Sequence, residues 1–159
     1  MTEPVRPTLM ETEARETPAV AQRLVTNASE PLRQLGARLR TLSPHYALAA
    51  GRGSSDAAAL LAKYLFETRL GLPTVSAAPS IRSIYGAQLK LESALVLAIS
   101  QSGRSPDLVE FCRSATGSNV LRVGLINDAA SPLAEAVDVV LPLEADPEKS
   151  VAATASDWR

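Results

Sequence analysis

Serines dominate the positions at which this 159-residue chain could do chemistry. Three polar runs each follow an apolar stretch: Gly51-Arg52-Gly53-Ser54-Ser55-Asp56, Ser100-Gln101-Ser102-Gly103-Arg104-Ser105, and Asn127-Asp128-Ala129-Ala130-Ser131. The second run passes into Pro106-Asp107, so an N-cap serine, a first-position proline and an acidic first-turn residue stand in series, as they do at a helix start. Amides freed at that start, a glycine-permitted turn at Gly103 and the hydroxyls of Ser100, Ser102 and Ser105 make a donor-rich concavity suited to a phosphate monoester. The plainer alternative is that Ser105 only caps a helix and its neighbours are turn residues. In the first run, Ser54 and Ser55 either bind a ligand through their hydroxyls or cap a helix starting near Asp56.

Other chemistries are excluded by what the chain lacks. The first run begins like a dinucleotide fingerprint, but Asp56 stands where the third glycine belongs, and Glu67 falls before the second strand instead of at its end. No lysine follows the glycines, so there is no Walker A loop. His45 is the single histidine and Cys112 the single cysteine, which rules out two-histidine zinc motifs, thiolate clusters and an internal disulfide. Neither a metal nor a cofactor is expected. His45, at the start of the first strand, reads as a surface or core-edge residue, and Cys112, inside a helix, as a small apolar packing residue. Sixteen basic residues against 17 acidic give a net charge of -1, and one Trp, three Tyr and two Phe leave little for base stacking, which argues against nucleic acid. No membrane span or signal segment is legible, so the expected location is the cytoplasm.

The elements that must hold these runs follow from periodicity. Residues 1–9 carry Pro4 and Pro7 without pattern and read as a flexible lead-in. Residues 10–43 repeat Val20, Leu24, Val25, Leu32, Leu35, Leu39 and Leu42 at helical steps, broken near Ser29–Pro31, which predicts two helices with Ser29 or Glu30 near the second cap. Five short apolar runs follow, at 46–50, 74–77, 94–99, 120–126 and 137–141, separated by helical stretches at 56–70 and 106–116. Leu60, Leu61, Tyr64 and Leu65 share one face of the first of these helices, and Gly71 and Gly117 stand where C-capping glycines belong. Because Ala94–Ile99 is apolar without alternation, its strand must be covered on both faces. The expected fold class is α/β: an open five-stranded parallel sheet in a three-layer α/β/α sandwich, with the polar runs converging at the carboxyl edge of the strands.

Gly53-Ser54-Ser55, then Ser100 to Ser105, then Pro147-Glu148-Lys149-Ser150-Val151-Ala152-Ala153-Thr154 together resemble the SIS (sugar isomerase) domain. The likeness is to the first of the two SIS domains in the isomerase part of glucosamine-6-phosphate synthase and in SIS-type glucosamine-6-phosphate deaminases, over about residues 10–154. It implies a flavodoxin-like SIS phosphosugar-binding domain at 44–154 with an irregular tail at 155–159. It further implies that Ser54 and Ser55 contact the ligand, that Ser100, Gln101, Ser102 and Ser105 hold the phosphate of a hexose or hexosamine 6-phosphate, and that Val151 touches the sugar. A homodimer through this domain is implied as well. Ser131-Pro132-Leu133 matches a recurrent turn of the family, with Ser131 read as a helix cap. No catalytic residue is assigned, because the family's catalytic groups belong to the second domain and to a histidine of a neighbouring subunit. Asp146 replaces a usual glycine and Ala155 a usual lysine, so the ending Ser156-Asp157-Trp158-Arg159 reads as interrupted. The alternatives are a sugar-phosphate-sensing module without catalysis and a fragment without function.

Overall fold

Ala94–Ile99 forms the middle of the sheet, as its unbroken apolar character requires. In the computed structural model, which describes residues 8–145, it belongs to β3 (Leu91–Ser100), flanked by β1 (Tyr46–Ala50) and β4 (Gly117–Ile126), with β2 (Thr74–Ser76) and β5 (Val139–Pro142) at the edges. The order is β2-β1-β3-β4-β5, and every pairing is parallel. Among the described residues six helices accompany them: α1 (Leu9–Asn27), α2 (Ser29–Leu42), α3 (Ser54–Leu70), α4 (Ser80–Ser83), α5 (Pro106–Ser114) and α6 (Pro132–Ala136).

Alternate residues of the central strands supply two separate cores. Ala50, Ala94, Val96 and Ala98 face one side, where their small side chains admit Leu108, Phe111 and Cys112 of α5 and Leu133 of α6. Ala47, Ala49, Leu95, Leu97 and Ile99 face the other side, against Leu35 of α2 and Ala59 of α3. Each large apolar side chain taken out of water contributes about 1.5–3 kcal/mol, and β3, buried on both faces along Ser93–Ser100, anchors the layers. The three-layer arrangement is therefore the one the sequence predicts.

Several boundaries differ, for local reasons. The lead-in ends sooner than expected, because Thr8 caps α1 by accepting from the Glu11 N–H at 3.1 Å. The break between the first two helices falls at Ala28, which offers no side-chain cap, while Ser29 and Glu30 already lie inside α2. Gly117 caps no helix: α5 ends at Ser114, and Gly117 is the first residue of β4. A Cβ there would stand 2.0 Å from the Leu91 carbonyl oxygen, so glycine lets the two strands close on each other. Leu60, Leu61, Tyr64 and Leu65 do share a face of α3, but it is the outward one; the inward face is Ala58, Ala59, Ala62 and Phe66.

Candidate functional site

In this strand order β2 is added on one side of β1 and β3 on the other, so the order of strand addition reverses there. The loops after β1 and β3 leave on opposite faces of the sheet and open a crevice at the carboxyl edge. Register fixes what meets there. Ala50 pairs with Ala98, and Ser100 with Ile126, so the turns after β1, β3 and β4 emerge side by side from strands about 4.8 Å apart. The three polar runs converge as the sequence predicts.

The turn after β3 is held from within. Ser100 Oγ accepts from the Gly103 N–H at 3.0 Å, and Ser102 Oγ accepts from the Arg104 N–H at 3.4 Å. Ser100 is buried, whereas Ser102 is exposed. Ser105 is the N-cap residue of α5 with extended backbone, yet its hydroxyl makes no capping bond. Asp107 takes that place, its Oδ1 accepting from the Leu108 N–H at 2.9 Å. The capping alternative for Ser105 thus fails, and its oxygen stays available beside the positive end of the α5 dipole.

Gly103 is the pivot of this turn. Its φ of 63° is left-handed, and a Cβ on it would lie 2.1 Å from Ser131 Oγ. Ser131 is fully buried and caps α6 by accepting from the Ala134 N–H at 3.3 Å, as its sequence context predicts. The Leu133 N–H donates to the Gly103 carbonyl at 3.1 Å. The turn after β4 therefore buttresses the turn after β3, a role that sequence reading did not assign. Gln101 is half-buried, and its carbonyl accepts from the Asn127 N–H at 3.3 Å. Asn127 Oδ1 in turn accepts from the Ala145 N–H at 2.9 Å, fixing the chain after β5.

Ser54 and Ser55 sit in the first turn of α3, half-buried. The helix starts at Ser54 and not near Asp56, and its N-cap is Gly53, with φ 60° and no side chain to offer. Neither serine caps it. Gly51 allows β1 to run close beneath this turn, since a Cβ there would meet the Ser55 carbonyl oxygen at 2.4 Å. A cleft of about 520 Å³ opens beside the loop, lined by Gly51, Arg52, Gly53 and Asp56 and by residues 76–80. Such a volume accommodates a small ligand. A larger groove of about 720 Å³ runs along the outer side of α5 by Arg82, Arg104 and Arg113, and none of the predicted binding serines lines either cavity.

Among the described residues no side-chain hydrogen bond joins the serines of the turn after β1 to those of the turn after β3. One ion pair spans the crevice, Arg52 Nε lying 3.3 Å from Asp107 Oδ2, and another ties the turn after β3 to the turn after β4, Arg104 Nη2 lying 2.8 Å from Asp128 Oδ2. His45 is exposed at the opposite, amino edge, its N–H donating to the Ser93 carbonyl. Cys112 is buried in the core, and burial pushes its thiol up to about 12, which fits packing and not nucleophilic attack. Val151, Asp146 and the Pro147–Thr154 motif lie outside the described residues. Among the described residues no group of side chains could hold a metal ion, and no helix is long and apolar enough to cross a membrane.

The family model for the SIS domain matches residues 44–156. A putative phosphosugar isomerase from Silicibacter pomeroyi superposes with a TM-score of 0.87 at 43% identity, covering 94% of this chain and 46% of that one. Glutamine–fructose-6-phosphate aminotransferase from Thermus thermophilus is 39% identical over 103 residues, 64% of this chain and 17% of that protein. The Vibrio vulnificus NanR protein, solved with ManNAc-6P, shares the fold alone, at TM-score 0.70 and 16% identity. This chain thus spans just under half of the isomerase and a small part of the aminotransferase.

Proposed function

From the premise that this chain belongs to the SIS domain family, we propose that it binds a hexose or hexosamine 6-phosphate at the carboxyl edge of its sheet. The observation that carries this reading is the Ser105 hydroxyl, set at the N-terminus of α5 and not used to cap it. A capping serine there would be structural; an unengaged one is a donor for an anion. In this reading Ser102 and Ser105 donate their hydroxyls to the phosphate oxygens. Ser100 accepts from Gly103 and so has its own proton to donate, and Gln101 adds its amide. Ser54 and Ser55 approach from the first turn of α3 toward the sugar, and Val151 is assigned to it by family resemblance alone. Each donor to a charged oxygen is worth about 1.5–3 kcal/mol.

The kinship supports the same chemistry, since the isomerase and the aminotransferase are named for phosphorylated sugars and NanR was solved with one. The reading is one of binding: no proton-transferring group is assigned, and His45 stands at the far edge of the sheet. A phosphorylated ligand and a single buried thiol fit a cytoplasmic protein. The test is calorimetric titration with glucosamine 6-phosphate, fructose 6-phosphate and inorganic phosphate. Saturable sugar-phosphate binding that weakens in Ser102→Ala and Ser105→Ala supports the reading; a folded chain that binds none of the three refutes it.

A homodimer is part of the proposal. Helix α3 is apolar on both sides, and Leu60, Leu61, Tyr64 and Leu65 are exposed together, as they are in a helix that a partner covers. A second copy of this chain is the occupant we assign to that face.

A further inference from the structure

The serines of the proposed cradle are neutral, whereas a phosphate monoester arrives with a charge of about −1.5 to −2 at neutral pH. The nearest fixed charge on α5 makes the problem worse, because Asp107 carries a carboxylate in the first turn, two residues after Ser105. A dianion placed on that turn meets repulsion unless a cation stands between them. Arg52 is in the position to do this. It follows β1 by two residues, as Ser100 follows the paired Ala98 on β3, and its Nε reaches across the crevice to within 3.3 Å of Asp107 Oδ2. The Arg52 side chain is 58% exposed, while that of Asp107 is 20% exposed. The carboxylate is thus the seated partner and the guanidinium the one facing solvent, and no described residue accepts a hydrogen bond from its terminal nitrogens. Arg104, the other cation of these turns, is drawn to Asp128 on the far side of β3.

We propose that Arg52 is the cation of the phosphate site, stationed over the crevice by Asp107 and presenting its terminal nitrogens to the phosphate when a phosphosugar binds. The inference rests on the phosphosugar reading and deepens it: the ligand must carry a dianionic group, and its charge is met by the first turn as well as the third. A guanidinium suits the task because its fork can grip a carboxylate with one edge and phosphate oxygens with another. The arrangement also assigns Asp107 a cost, since it attracts Arg52 but repels the ligand.

The experiment is calorimetric titration of the full chain with glucosamine 6-phosphate and with inorganic phosphate, at two salt concentrations, for the parent, Arg52→Gln, Arg52→Lys, Asp107→Asn and Ser102→Ala. Arg52→Gln is expected to weaken both probes at least tenfold and to reduce the dependence on salt. Arg52→Lys should restore part of the loss, and Asp107→Asn should tighten binding severalfold by removing the competing carboxylate. Arg52 is largely exposed and its ion pair adds little to stability, and Asp107→Asn keeps an oxygen for the Leu108 N–H, so unchanged melting curves are expected for the Arg52 and Asp107 variants and would separate charge from folding. If the parent binds and Ser102→Ala weakens binding while Arg52→Gln leaves it unchanged, the assignment of Arg52 is overturned and the phosphosugar reading stands. If the parent binds neither probe, both fall.

Discussion

Replacing Gly103 with alanine tests the local logic of the site at one atom. The residue has a left-handed φ of 63°, and the added Cβ would lie 2.1 Å from Ser131 Oγ, 2.5 Å from Ser131 Cβ and 3.1 Å from Ile126 Cγ2. The dihedral alone costs about 1–2 kcal/mol in an L-residue. The clash adds about 1–3 kcal/mol, the usual range for overpacking, because Ser131 is fully buried and committed to capping α6. The sum is about 2–5 kcal/mol, a large share of the roughly 5–15 kcal/mol that holds a domain together. Gly71→Ala provides the control: its backbone is left-handed, with φ 63° and ψ 21°, and nothing lies within 4 Å of the added carbon, so only the dihedral cost of about 1–2 kcal/mol remains. Urea unfolding of the two variants and the parent reads the difference. Gly103→Ala should lose at least about 1 kcal/mol more than Gly71→Ala, the lower end of the overpacking range. Equal losses would refute the claim that the turn after β4 buttresses the turn after β3.

Three further outcomes are expected. The Arg122 guanidinium hydrogen-bonded to Asp138 at 2.6 Å holds that carboxyl below its ordinary value of 3.8. The pair's contribution is therefore complete above that ordinary value and is lost as pH falls through the depressed folded-state value; Asp138→Asn should flatten the acid limb of stability against pH, and an unchanged limb would remove the pair from the account. Cys112 should resist thiol reagents at pH 8 in the native protein and react once urea unfolds it, because burial both shields the thiol and pushes it up to about 12; rapid native labelling would show that the core opens there. Leu61→Glu on the outward face of α3 should convert a dimer to a monomer in sedimentation with little change in the monomer's melting, whereas a parent that sediments as a monomer would contradict the proposed covering of that face.

The sheet was legible because its signals are redundant. Ala94–Ile99 has the unbroken apolar pattern expected of a strand covered on both faces, and Ser105-Pro106-Asp107 the series expected at a helix start, so the polar runs could be placed at the carboxyl edge; that the crevice opens between β1 and β3 came from the strand order. What escaped were effects of close approach, which leave no periodic trace. Gly117 looks like a helix stop in sequence, and only the Leu91 carbonyl beside it shows that two strands meet there. The same holds for Gly103 against Ser131. On α3, sequence pattern grouped Leu60, Leu61, Tyr64 and Leu65 correctly but could not say which side they face, because the alanines on the other side pack against the sheet without a strong hydrophobic signature. Ser54, Ser55 and Ser105 each had a capping alternative. Structure removes it for all three, since Gly53 and Asp107 occupy those roles.

The central claim is that the hydroxyls around α5 hold a phosphosugar, and Ser105→Ala addresses it most directly. Because that hydroxyl caps nothing, the variant should melt within about 0.5 kcal/mol of the parent, as a surface substitution away from structural contacts does. Calorimetric titration with glucosamine 6-phosphate should nonetheless show affinity lower by about 1.5–3 kcal/mol, the value of one hydrogen bond to a charged group. Undiminished affinity in a variant folded as well as the parent would contradict the account.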